Sequence, residues 1–211
     1  MDGSLWRFAL VAFTTLLTVV DPIGIAPPFL ATTRHLSEEK RREVARRAVL
    51  VAAGVLAVFA TAGQIVFQAF GITLDAFRIA GGLLLFLVAL EMVRGERAPQ
   101  QSAPDAEGAH REHEDVAVIP LAIPLVSGPG AIASVVMLSG RATSVAERGV
   151  VYGAIVVTCA ATWVVMRLAP RLARILGPTG TSVLTRIMGL MLAALAVQFV
   201  IDGVRAVVAT M

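Results

Sequence analysis

Long, nearly unbroken apolar runs restrict the fold of this chain more than any other feature. A hydrocarbon layer about 30 Å thick is crossed by about 20 helical residues. Inside that layer every backbone N–H and C=O needs a partner within the protein, which leaves helices or closed barrels. The runs here are continuous rather than alternating, so helices are expected. Six spans emerge, at about 5–30, 46–70, 72–93, 116–139, 148–168 and 183–209. The composition agrees, with 57% of residues hydrophobic and 16% charged, against about 45–50% and about 25% in soluble domains. The first run, from Leu5, is too long for the apolar core of a secretory leader, so no cleaved leader is expected.

Charge collects between the runs. Arg34, Lys40, Arg41, Arg42, Arg46 and Arg47 fall between the first two spans. Arg94, Arg97 and Arg111 lie in the 94–115 linker, and Arg167, Arg171, Arg174 and Arg186 in the 167–186 connection. The other side holds Arg7, Arg78, Arg141, Arg148 and Arg205. Cytoplasmic loops are enriched in Lys and Arg, so the three basic loops are expected in the cytoplasm and both termini outside. The net charge of +3 is then a property of loops, and nucleic acid is not an expected partner.

Six spans divide into two sets of three, and an odd number per set forces the sets into opposite orientations. Arg78-Ile79-Ala80-Gly81 opens the third span and Arg186-Ile187-Met188-Gly189 the sixth, at an offset of 108. Asp21-Pro22-Ile23-Gly24 falls against Gly128-Pro129-Gly130-Ala131 at an offset of 107. The expected organisation is a three-helix repeat at 1–93, a flexible polar linker at 94–115, and an inverted three-helix repeat at 116–211.

The first and fourth spans are both interrupted. Proline lacks a donor and clashes with the preceding turn, so Pro22 ends the helix arriving from Leu5. It suits the first position of a new half-helix with Asp21 as N-cap. Pro129 repeats the device, with Ser127 or Gly128 as cap and Gly130 allowing close approach. At about 1.5 Å per residue, Asp21 lies about 24 Å along its span and Ser127 about 17 Å along its own. Paired Gly/Pro interruptions at corresponding positions of two halves mark transporter binding sites. Helix N-termini attract anionic groups. The candidate substrate-binding residues are Asp21, Pro22, Ile23, Gly24, Ser127, Gly128, Pro129, Gly130 and Ala131. Asp21 is the acid placed deepest in a span, and desolvation favours the neutral form of a carboxyl, which makes it the candidate proton carrier.

Other polar residues have plainer expectations. Thr14, Thr15 and Thr18 bond back to their helix or else line the cavity; Gln64, Gln68 and Gln198 bridge helices; Arg78 and Arg186 snorkel or pair with Asp75 or Asp202. Cys159 is the sole cysteine, which excludes an intrachain disulfide. His110 and His113 read as part of a solvated linker rather than a metal site. No metal or cofactor is expected. With no nucleotide loop, metalloprotease signature or serine-hydrolase elbow, neither is an enzyme.

The strings DPIGIAPPFLATT (21–33) and IPLAIPLVSGPGAIASVVMLS (119–139) resemble the signatures of the MarC family, also described as a neutral amino-acid transporter family. The likeness runs over essentially the whole chain in length, span count and motif placement. Members often carry Asn after the first-motif glycine; Ile25 stands there in this chain. The resemblance implies a multi-pass protein of the bacterial cytoplasmic (inner) membrane. It also implies a small neutral amino acid such as glycine or alanine bound between the two broken helices. The expected function is therefore a secondary transporter of that substrate, with Asp21 either the carrier of a coupled proton or only the cap of the half-helix. The alternatives are a passive channel or facilitator, or an exporter of another small solute. Membrane lipid is an expected partner, and self-association into a homo-oligomer is left open.

Overall fold

The computed structural model describes residues 3–33, 36–94 and 126–209. The linker beyond Arg94 and the first part of the expected fourth span, with Pro120 and Pro124, lie outside the described residues. Those described form helices joined by short turns, with no strand among them. In chain order the helices are α1 (Gly3–Val20), α2 (Ala26–Thr33), α3 (Glu38–Ala69), α4 (Leu74–Arg94), α5 (Pro129–Arg141), α6 (Val145–Arg171) and α7 (Thr179–Ala209). Four of them, α3, α4, α6 and α7, are long and apolar enough to cross a membrane; α1 is a shorter apolar helix. Between α6 and α7 the helical path is interrupted at Gly177, whose φ of 67° is left-handed.

Two boundaries differ from expectation. α3 starts at Glu38 rather than near residue 46. Ser37 caps it by accepting from the Lys40 N–H at 3.4 Å, and Glu38 and Glu39 meet the positive end of the helix dipole. Pairs one turn apart, Glu38–Arg42 and Glu43–Arg47, then carry the helix through its charged turns into the apolar run. The second half-helix of the first span, α2, becomes regular at Ala26 rather than at Pro22. Residues 22–25 instead form turns, because Asp21 takes a left-handed φ of 45°.

The shortest helices occupy the middle of the molecule. In α5, Gly130 to Val136 are all buried, and Ala26, Phe29 and Leu30 of α2 are buried opposite. Interrupted backbone at membrane depth survives only where protein or a wet cavity surrounds it, and these elements meet that requirement. The long helices surround them. α4 and α7 pack antiparallel through small residues: Gly203 faces Ile79 and the Asp75 carbonyl, Gly82 faces Ala196, Phe199 and Val200, and Gly189 faces Met92 and Val93. α3 and α6 are joined by the Thr61 and Tyr152 hydroxyls, 2.7 Å apart. The outward surface is apolar, with Leu50, Val58, Leu83, Leu84, Leu87, Val156 and Leu190 all exposed. An apolar exterior this extensive fits lipid rather than water. The chain is an integral membrane protein.

Candidate functional site

The break after α1 is built around one carboxylate. The Asp21 N–H still donates to the Leu17 carbonyl at 3.1 Å, closing α1. The chain then turns left-handed at Asp21, a conformation Asp tolerates better than most residues. Its Oδ1 accepts from the Gly24 N–H at 3.1 Å, three residues on. That is the expected capping contact, although the regular helix starts later. A Cβ at position 24 would collide with the Asp21 carboxylate, so this closure depends on glycine.

The second break uses backbone alone. Gly128 is the N-cap of α5, in extended conformation and without a side-chain cap, and Pro129 follows at the first turn. The Ile132 N–H donates to the Gly128 carbonyl at 2.9 Å. The Pro129 ring lies against Gly81 of α4, and Gly130 packs beneath the Phe199 ring of α7 and beside Val19 of α1. Three helices therefore fix the N-terminus of α5 at this point.

Between the two breaks lies a cavity of about 540 Å³. Asp21, Gly24, Gly128, Pro129, Gly130 and Ala131 line it, so both interrupted segments contribute to one space. Three candidates lie off it. Pro22 is half-buried outside the lining, Ile23 is 73% exposed, and Ser127 is fully buried away from the cavity. Asp21 is itself exposed rather than enclosed by protein. The end of α1 also lines it, as do Leu85 of α4 and Met188, Met191, Leu192, Gln198 and Phe199 of α7. Motif reasoning at the breaks missed these α4 and α7 positions. The signal that could have found them was the Arg-Ile-x-Gly repeat opening the same two helices, together with Gln198 amid apolar neighbours.

Gln198 does not bridge helices as expected; its amide donates to Asp202 Oδ1 at 2.7 Å within α7. Gln198 nevertheless lines the cavity. Asp202 is thereby engaged by Gln198, and Arg78 pairs with Asp75 at 3.5 Å. Thr14 bonds back to the Leu10 carbonyl at 2.7 Å, as expected, whereas Thr18 lines the cavity. No cluster of three or more His, Cys, Asp or Glu able to hold a metal occurs among the described residues.

The model of the MarC family of integral membrane proteins matches residues 6–208, nearly the entire chain. The chain belongs to the MarC family. It is 35% identical over 199 residues to UPF0056 membrane protein MJ1677 of Methanocaldococcus jannaschii, covering 94% of this chain and 97% of that one. It is similar to UPF0056 membrane protein YhcE of Escherichia coli, 35% identical with 92% of this chain and 91% of the other covered. A UPF0056 membrane protein of Aquifex aeolicus is 36% identical, with 92% and 91% covered. No solved structure matches this chain. Both quoted motifs fall within the matched residues, and each supplies part of the cavity lining.

Proposed function

We propose that this MarC protein is a secondary transporter of small neutral amino acids, with the substrate held between the two broken helices. The observation that carries the reading is that one cavity is lined by a carboxylate, Asp21, and by the N-terminus of α5, which has no side-chain cap. These two features suit the two ends of a zwitterion. The α5 terminus supplies backbone N–H groups and the positive end of a dipole for the substrate carboxylate. Asp21 supplies the counter-charge for the ammonium. Apart from Thr18 and Gln198, the remaining lining is apolar, with Leu85, Met188, Met191, Leu192 and Phe199 among it, and suits an uncharged side chain. Because Asp21 already occupies the turn before α2, the substrate carboxylate is assigned to α5 rather than shared between both termini.

Further observations support two inverted halves. The helices that open with Arg-Ile-x-Gly, α4 and α7, run antiparallel. α5 packs on α3, with Val136 against Gly63, while Phe29 of α2 meets Trp163 and Met166 of α6 around a shared cavity. With the basic loops in the cytoplasm and both termini outside, rocking one half against the other would expose the cavity alternately to each side. Asp21 is also the candidate carrier of a coupled proton in this cycle.

Counterflow tests the proposal. Proteoliposomes are loaded with unlabelled glycine or L-alanine and labelled amino acid is added outside. Saturable uptake above empty vesicles is the expected result. Absence of uptake across a panel of neutral amino acids would remove the substrate assignment. Conductance without counterflow would replace the carrier with a passive facilitator.

A further inference from the structure

A second cavity, of about 330 Å³, opens between α2, α3 and α6. Its rim is cationic: Arg41 and Arg42 from α3, Arg167 and Arg171 from α6, and Arg174 just beyond, with Glu38 as the one acid lining it. Phe29, Ala45, Trp163 and Met166 form an apolar floor.

The arginines differ in what already holds them. Arg41 is structural, since its Nε and Nη2 donate to the Thr33 carbonyl at 3.3 and 3.1 Å and Nη2 also to the Leu36 carbonyl at 3.3 Å. Glu38 is divided between two partners: Arg174 at 3.2 Å and Arg42 at 4.0 Å. Both pairs are well exposed to solvent and correspondingly weak. The Arg167 guanidinium stacks over the Trp163 ring at 4.9 Å, an arrangement that orients its donors without neutralising it. One carboxylate thus faces five guanidinium groups around a space large enough for a headgroup.

Position decides what kind of anion fits. Arg167 and Arg171 end the apolar span of α6, and Arg41 and Arg42 precede that of α3, so the cavity sits where hydrocarbon meets water. Trp163 is a residue type favoured at that level. Val164 and Leu168, one turn apart on α6, line the same cavity and are 45% and 48% exposed. An apolar track therefore leads from the arginines along the outside of the helix. A soluble anion has no use for that track, whereas a lipid does.

We propose that this cavity binds the phosphodiester headgroup of an anionic phospholipid, with an acyl chain lying along Val164 and Leu168. Arg167, Arg171 and Arg174 are the headgroup ligands, because the planar fork of arginine matches phosphate oxygens in pairs. Basic pockets between membrane helices on the cytoplasmic side take such headgroups. The site is separate from the cavity at the broken helices and stands whatever solute the protein carries.

The test uses the purified full chain in neutral detergent. Phosphatidylglycerol and phosphatidylcholine of the same acyl composition are titrated, with bound lipid read by native mass spectrometry and unfolding midpoint as a second readout. Inorganic phosphate and glycerol phosphate form the soluble arm. Retention of phosphatidylglycerol but not phosphatidylcholine, with a raised midpoint, is expected. Arg167→Gln/Arg171→Gln/Arg174→Gln should weaken phosphatidylglycerol binding on the order of a hundredfold. Arg171→Gln alone should weaken it roughly fivefold and keeps the test valid if the triple variant does not fold. Arg141→Gln/Arg148→Gln/Arg205→Gln removes equal charge elsewhere and should leave binding unchanged. Equal binding of the two lipids, or equal losses from both triple variants, would overturn the proposal. Saturation by inorganic phosphate with no preference for lipid would overturn it in favour of a soluble-anion site.

Discussion

Gly130→Ala adds one methyl group at the most enclosed point of the site. A Cβ there runs into the Phe199 ring of α7 and stands 2.9 Å from Val19 Cγ1 of α1. α5 has no free direction in which to retreat. The Pro129 ring already abuts Gly81 of α4, and the residues from Gly130 to Val136 are buried. Overpacking of a filled site costs about 1–3 kcal/mol, and this position belongs at the upper end because two helices oppose the added atom. The variant should also lose cavity space directly at the α5 N-terminus. Phe199→Leu removes the ring atoms in the way. A double-mutant cycle of Gly130→Ala with Phe199→Leu should therefore show favourable coupling of about 1–3 kcal/mol. Unfolding midpoints in detergent give the stability cycle, and counterflow in proteoliposomes gives the functional one. A Gly130→Ala protein as stable and active as the parent, with effects additive to those of Phe199→Leu, would refute the reasoning about this contact.

Asp21→Asn keeps an oxygen to accept from the Gly24 N–H, so stability should hold within about 0.5 kcal/mol; proton-driven accumulation should vanish, and unchanged accumulation would sink the coupling role. Asp21→Ala also loses the cap and should cost about 1 kcal/mol in unfolding measurements. Thr158 is buried in α6 with a hydroxyl that has no hydrogen-bond partner in the structure. Thr158→Val should raise the unfolding free energy by about 1 kcal/mol, and a lowered midpoint would reveal a partner for that hydroxyl. Arg41→Leu removes the donors to the Thr33 and Leu36 carbonyls and should destabilise by about 1.5–3 kcal/mol, with Arg41→Lys restoring little of it.

The long apolar helices and the starts of the interruptions at Asp21 and Pro129 were legible because each depends on local chemistry. A run of apolar residues has one low-energy use, and proline interrupts a helix wherever it stands. α4 lies at Leu74–Arg94 against an expected 72–93, and α5 begins at Pro129 with Gly128 as cap. The errors arise where neighbours override local preference. The i,i+4 ion pairs of Glu38–Arg42 and Glu43–Arg47 extend α3 past the edge of its apolar run, which hydropathy alone does not register. The left-handed turn at Asp21 delays α2 to Ala26, and nothing in the string Asp-Pro-Ile-Gly specifies that φ in advance. The α4 and α7 side of the cavity was not legible from the two break motifs. Met188, Met191 and Phe199 are ordinary apolar residues in sequence, and they line the site through the antiparallel packing of α4 on α7.

The two breaks are equivalent by position but not by charge. The first carries its own anion: Asp21 accepts from Gly24 and offsets the positive end of the helix that follows. The second is capped by Gly128, which makes no side-chain hydrogen bond and brings no charge of its own to the helix end. Symmetric breaks would offer two like ends to a ligand and favour an anion. With Asp21 in one and only backbone in the other, the cavity instead presents opposite signs from its two motif walls. On the proposed reading, that polarity would favour a zwitterion over a simple cation or anion, since either would leave one wall unmatched. A simple carboxylic acid should therefore compete poorly with glycine in counterflow, and a primary amine equally poorly. Competition by acetate as strong as that by glycine would show that Asp21 does not pair with the substrate ammonium.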